Sequence, residues 1–205
     1  MLLLECTSHI PPPPSPRLPP SPPLTPSPQP SENPVLASHF GRASVLALQG
    51  GPGTAEDYLP AGAVNSLGKH YAAYGASAGG LNGGAADVSN RTLHEYFLRP
   101  WIAIGRAGVR SAMASHNTVH DIPAHANEQL IDELRGSFSF GEGVILSDCD
   151  DIGVIYDFRM AANRTQAAAL ALKAGVDWDL QCGTDPIKWS YNKVETEWEN
   201  RRCSV

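Results

Sequence analysis

An α/β fold built on a parallel sheet is what this sequence predicts, and three observations predict it. Short, almost wholly apolar runs such as Val144-Ile145-Leu146 have the composition of strands buried on both faces. Stretches with helical apolar spacing alternate with such runs, strand then helix, four times along the chain, the pattern of crossover helices. The side chains able to do chemistry recur just after the strands, at Lys69-His70, Ser115-His116-Asn117, Ser147-Asp148 and Asp177 or Asp179. That edge is where parallel sheets and barrels build active sites.

The elements follow in order. Thirteen of the 18 prolines lie between Pro11 and Pro34, whereas all 19 glycines lie at or after Gly41. Each proline removes a backbone donor and extends its predecessor, so residues 1–35 read as a disordered Pro/Ser-rich extension or stiff spacer with nothing to bury. The remaining 170 residues, 36–205, are enough for one domain with a sizeable core. Leu36, Phe40, Val45 and Leu48 fall at helical spacing, and Gly50-Gly51 stops that helix near Gln49. A strand is expected over Val64–His70 and a Gly-rich loop over Gly75–Gly84. Ser89 caps a helix running through Leu93, Trp101 and Ile104 to Gly108. Val109–Ser115 reads as the second strand, and Asn127 caps a helix through Leu130, Ile131 and Leu134 that ends by Gly136. Gly143–Ser147 is the third strand, Ala161–Ala174 an Ala-rich helix stopped by Gly175, Val176–Leu180 the fourth strand, and Trp189–Asn200 a final helix.

Charge narrows the function classes. With Lys+Arg 15 against Asp+Glu 21, net charge −6 and no basic run, neither nucleic acid nor an anionic membrane is the expected partner. No apolar stretch approaches the ~20 residues of a bilayer span, and Met1–Leu4 is too brief for a signal-peptide core, which leaves the compartment open. Cys6, Cys149, Cys182 and Cys203 have no CxxC or CxxH spacing, so no zinc site is expected. The sequons at Asn90 and Asn163 matter only in a secretory compartment.

Asp148 is the leading candidate for chemistry, because it follows an apolar strand that can hold it rigidly at a pocket mouth. A carboxylate so placed serves as nucleophile, base or metal ligand; the competing reading makes it the cap of a helix beginning near Asp150. Asp150 and Asp151 read either as metal chelators or as solvated residues of a first helical turn. Lys69 and His70 pair a cation with a neutral donor, suited to sugar hydroxyls or to a phosphate. The Gly75–Gly84 stretch lacks both GxGxxG order and a following Lys-Ser/Thr, which favours a flexible loop over a phosphate cradle. Residue types alone leave two classes standing, an enzyme and a noncatalytic α/β binding module.

Several separated stretches resemble the N-terminal barrel domain of glycoside hydrolase family 3, the β-glucosidases and β-xylosidases. They are Lys69–Gly75 (KHYAAYG), Arg91–Glu95 (RTLHE), Ser111–Asn117 (SAMASHN), Leu134–Gly136 (LRG), Val144–Asp148 (VILSD) and Ala174–Asp177 (AGVD), in the family's order. The resemblance implies a partial (β/α)8 TIM-type barrel, roughly its second half, preceded by the Pro-rich segment. It implies a retaining exo-β-glycosidase chemistry with Asp148 as the nucleophile. Lys69 and His70 then bind the sugar, Met113 lines its pocket, and His116 stands where the family usually has a tyrosine. No cofactor is implied; the partner is a β-linked glucoside or xyloside. Cys149 after the nucleophile and Cys182 are similar to the β-xylosidase pattern, whereas the Gly75–Gly84 loop is similar to the glucosidases. A disulfide between Cys149 and Cys182 is feasible, since they follow consecutive strands that neighbour each other in a barrel. A complete barrel usually needs about 200 to 250 residues. The family's early strands and its general acid/base have no counterpart here, so the chain alone is expected to be inactive without a missing barrel half and second domain.

Overall fold

The computed structural model describes residues 31–52, 59–180 and 191. The Pro-rich segment up to residue 30, Cys182 and the expected helix Trp189–Asn200, apart from Tyr191, lie outside them. Helix α1 spans Pro34–Gln49. It begins two residues before the apolar periodicity, because Asn33 accepts hydrogen bonds from the Val35 and Leu36 N–H groups and Pro34 has no N–H to satisfy. It stops at Gly50, whose φ of 79° is a left-handed C-cap. The helix packs on a later helix across Gly41, where an added Cβ would lie 2.7 Å from Ile104 Cγ2. Its last residue, Gln49, is buried and ties three segments together. Its Nε2 donates to Gly108 O at 2.7 Å, and its Oε1 accepts from Ser66 Oγ at 2.6 Å.

Strand β1 (Leu67–Tyr71), strand β3 (Ser111–Ala114) and strand β6 (Val144–Leu146) form a parallel sheet in the order β1-β3-β6. The expected first strand is displaced to 67–71, and its pairing with β3 slips between Gly68 and Tyr71. Gly68 faces helix α3 (Arg99–Arg106) so closely that a Cβ would fall 2.8 Å from Trp101. Leu67 and Lys69, which alternate with it, are exposed. The fourth strand expected over Val176–Leu180 is reduced to a parallel bridge between Leu146 and Trp178. Asp177 interrupts the ladder, because its carboxylate accepts the Ile145 N–H at 2.7 Å.

Two further differences have local causes. The single helix expected from Ser89 to Gly108 is broken into α2 (Asn90–Thr92), a π-helical turn over Leu93–Phe97, and α3. Pro100 has no N–H for an unbroken helix ladder, and the π turn closes with Leu98 N–H donating to Leu93 O at 2.8 Å. A second small sheet joins β2 (Ala85–Ala86), β4 (Thr118–Val119) and β5 (Ile122–Pro123) in that order. His120 and Asp121, both at positive φ, make the tight turn of its hairpin. Helix α4 covers Glu128–Ser137 behind the Asn127 cap, helix α5 covers Asp151–Asp157, and helix α6 covers Arg164–Ala174. Asn163 caps α6, and its buried alanines 167, 168, 171 and 174 let it approach its neighbours closely.

The core lies between the sheet and these helices. Tyr71 is buried edge-on to Trp101, with ring centroids 4.8 Å apart, and donates its hydroxyl to Leu130 O at 2.8 Å. At the N-terminal edge of the sheet Arg135 acts as a staple. Its guanidinium donates to the carbonyls of Gly141, Gly143 and Gly175 and to Asp177 Oδ2 at 2.7 Å. A planar fork with several fixed donors meets this set, whereas an ammonium cannot. Arg135→Ala is expected to lower stability by about 2 kcal/mol, the scale of losing charge-assisted hydrogen bonds to partly exposed acceptors. Arg135→Lys is expected to recover only a minor share, and thermal melts of the two variants read both effects.

Candidate active site

Parallel pairing brings the C-terminal ends of β1, β3 and β6 to one edge, and the residues that follow them meet there. From β1 comes His70, whose Nε2 lies 3.2 Å from Asp148 Oδ2. The Tyr74 ring packs against the His70 ring at 4.7 Å between centroids, and Tyr74 donates its hydroxyl to Asn82 Oδ1 at 2.7 Å. Burial holds the His70 imidazole below its usual range; Lys69 and His116 push the same way, while Asp148 opposes them. Lys69 precedes His70 and is exposed. The Lys69–His70 and Tyr71–Ala72 peptide bonds are cis.

Asp148 follows β6, partly exposed. Its Oδ1 accepts the Cys149 N–H at 2.7 Å, and its Oδ2 faces His70. The side chain does not cap α5. The residue at the N-cap position of that helix is Asp150, in the left-handed region at φ 59° and without a side-chain cap bond. The neighbouring Cys149 is disulfide-bonded; its expected partner, Cys182, lies outside the described residues. Met113 is buried on β3 and stands in register with Leu146, two residues before Asp148.

His116 follows β3. It is hydrogen-bonded through Nδ1 to Asp151 Oδ1. Asp151 is therefore not a solvated residue of a first turn: it is fully buried, and burial raises its pKa while His116 pulls it down. On its other side, His125 Nε2 lies 3.7 Å from Asp151 Oδ2 and accepts the Asp148 N–H at 3.4 Å. Complete burial drives His125 down to about 3, so its ring is neutral and its Nε2 lone pair serves the Asp148 backbone. The edge thus carries an array of His70, Asp148, His125, Asp151 and His116. Ser115 and Asn117 bond to each other behind it, and Asn117 Nδ2 donates to Ala72 O at 3.2 Å, tying the β1 and β3 ends together.

Two carboxylates lie at the far end of the sheet. Glu142 precedes β6 and lies at its opposite end, and Asp177 joins the Arg135 staple there. Asp179 is buried and accepts the Tyr191 N–H at 3.2 Å. Among the described residues no group of three or more His, Cys, Asp or Glu side chains is arranged to hold a metal ion. His125 carried no sequence signal, since a lone histidine in a 3-10 turn at Ala124–Ala126 has no periodic context. Asp151 was visible only as one of two neighbouring carboxylates.

An arc of parallel strands backed by crossover helices, with its ionisable side chains gathered at the C-terminal edge, is part of a (β/α)8 barrel. Residues 29–202 match the glycosyl hydrolase family 3 N terminal domain, and the chain belongs to that family. It is similar to a β-xylosidase of Formosa agariphila, 41% identical over 155 residues that make up 74% of this chain and 21% of that protein. A lysosomal β-glucosidase of Dictyostelium discoideum is 34% identical over 73% of this chain and 18% of its own. Among solved structures, a β-glucosidase from Erythrobacter marinus superposes with a TM-score of 0.71 at 32% identity, covering 80% of this chain and 22% of that one. A β-glucosidase from Listeria innocua in complex with glucose gives 0.66 at 34% identity, covering 72% and 20%. The chain spans about a fifth of the length of these relatives.

His125 and Asp151 act oppositely on stability. Below pH 6.5 the unfolded chain takes up a proton that folded His125 refuses until about pH 3, so stability falls on acidification through that window. Asp151, raised by burial, retains a proton in the folded chain above its unfolded value of 3.8, so its contribution is lost as pH rises through the raised pKa. The two slopes offset each other in mildly acid solution. Asp151→Asn removes the second alone, and its melting temperature is expected to fall more steeply than wild type between pH 6.5 and pH 4; parallel slopes in thermal melts contradict this assignment.

Proposed function

We infer that the chain supplies the nucleophile side of a retaining exo-β-glycosidase site of β-glucosidase or β-xylosidase type. The observation that carries the reading is the placement of Asp148: a partly exposed carboxylate at the C-terminal edge of a parallel sheet, 3.2 Å from His70 and not engaged as a helix cap. In this mechanism Asp148 attacks the anomeric carbon of a β-linked sugar, the bond to the leaving oxygen breaks, and a glycosyl ester forms that water then cleaves. Lys69, His70, Met113 and His116 surround the sugar, and Cys149 fixes the backbone beside the nucleophile.

The leaving oxygen must also receive a proton. Asp151 is committed to His116 and fully buried, and Glu142 lies at the far end of β6. Following the family resemblance, we assign the acid to a group outside this set, in another part of a whole barrel or in a second domain. The two halves of the reaction then separate by leaving group. A fluoro-sugar with an activated leaving group needs little protonation, whereas an ordinary glycoside depends on it.

The experiment is to incubate the chain with activated 2-fluoro derivatives of glucose and of xylose and to map the adduct by mass spectrometry. Slow labelling at Asp148 is expected, and Asp148→Asn should abolish it. The sugar that labels faster identifies the substrate class. Turnover of ordinary β-glucosides or β-xylosides by the chain alone is expected to stay well below the roughly 1 to 10³ s⁻¹ of typical enzymes. Adducts on another residue, or no adduct with either sugar, count against Asp148; a chain that binds these sugars without labelling is a carbohydrate-binding module instead.

A further inference from the structure

Beneath the Asp148 edge lies a carboxylate that the retaining mechanism does not use. Asp151 is fully buried, and a buried carboxylate needs partners for its charge. His125 cannot supply them, because it is neutral and its Nε2 already accepts the Asp148 N–H. Asp151 Oδ2 has no hydrogen-bond partner, so the residue depends on one contact, His116 Nδ1 to Oδ1.

The same contact decides how His116 stands. With Nδ1 turned inward, the remaining nitrogen, Nε2, is on the outer edge of the ring. That edge lies under Gly83 of the loop that starts at Tyr74 on His70. A Cβ at Gly83 would fall 2.8 Å from His116 Cδ2 and 3.1 Å from Nε2, and the φ of +78° at Gly83 also suits glycine. The loop therefore runs from one imidazole of the edge to the other, and the His116 side chain keeps 24% of its surface accessible. The second nitrogen of a histidine is set by the bond its first nitrogen makes, as in metal and catalytic sites.

We propose that Asp151 is a positioning residue for His116: it accepts the Nδ1–H, fixes ring and tautomer, and leaves Nε2 as the group that meets a hydroxyl of the sugar bound beside Asp148. This rests on the sugar-site reading of that edge. In the neutral ring Nε2 is then an acceptor, so the hydroxyl it meets donates, and the His116 contact selects a sugar with a free hydroxyl at that position over one whose oxygen is alkylated.

Nitrogen-15 spectra of the histidine rings in the full chain, recorded at pH 9 where imidazoles are neutral, read the tautomer without any variant. His116 is expected as the Nδ1–H form. The Nε2–H form in the wild-type protein overturns the proposal. Asp151→Leu, which fills the site but removes the acceptor, should lose the Nδ1–H form, and Asp151→Asn, which keeps a carbonyl acceptor, should retain it. Isofagomine, a sugar mimic that binds a Listeria innocua β-glucosidase, serves as the probe. It is expected to shift His116 Nε2 together with the His70 ring, and Asp151→Leu should weaken its binding about tenfold, the loss of one hydrogen bond to a ligand. Shifts at His70 with none at His116 overturn this proposal alone. No shift at either ring tells against the sugar site itself and takes with it the ligand contact assigned to Nε2.

Discussion

Parallel pairing of β1, β3 and β6 is the constraint on which the site depends. A parallel strand must return through a crossover, so every strand in the sheet runs the same way and all their C-terminal ends reach one side. His70, His116 and Asp148 are 78 residues apart from first to last in the chain and yet share that side, because each follows a different strand of one sheet. No local interaction could assemble them. The Asn117 bond to Ala72 O and the Ser147 N–H to Trp178 O then lace adjacent strand ends together, which keeps the spacing between those side chains.

Burial beneath that edge is arranged by polarity as much as by apolar packing. His125 is kept neutral so that a lone pair can hold the backbone of Asp148, and Asp151 is held by an imidazole in place of solvent. A site built this way divides its ionisable groups between environments: two rings and one carboxylate near the surface, one ring and one carboxylate below. Such division is how a fold lets chemically similar groups take different roles.

Much of the fold was legible because burial leaves a local mark. Val144–Leu146 had to be a doubly covered strand, and the caps at Ser89 and Asn127 and the stops at Gly50 and Gly175 write helix ends in single residues. The place of Asp148 at that edge was legible for the same reason, since it follows the apolar run by one residue, Ser147. The rest lacked such marks. Pro100 stands inside the run read as one helix, and the π turn that absorbs it depends on Leu98 reaching Leu93. Trp178 pairs at a single bridge because the carboxylate of Asp177, itself held by Arg135, takes a ladder position. Asp151 is buried directly after Asp150, whose backbone is left-handed, and nothing in the letters Asp-Cys-Asp-Asp says which of them turns inward.

The Arg135 staple has a consequence for how such chains diverge. It secures the turns at Gly141 and Gly143 and the end of α6 at the side of the sheet away from Asp148, and it touches none of the residues gathered there. Replacement of a side chain at that edge therefore leaves the lower anchorage of the strands intact, and the backbone that carries Asp148 survives a change of neighbours. Relatives that bear the names of xylosidase and glucosidase, each 34% identical to this chain over the aligned stretch, are what a scaffold with that division of labour accommodates: one rim can change by exchange while the opposite rim preserves the frame.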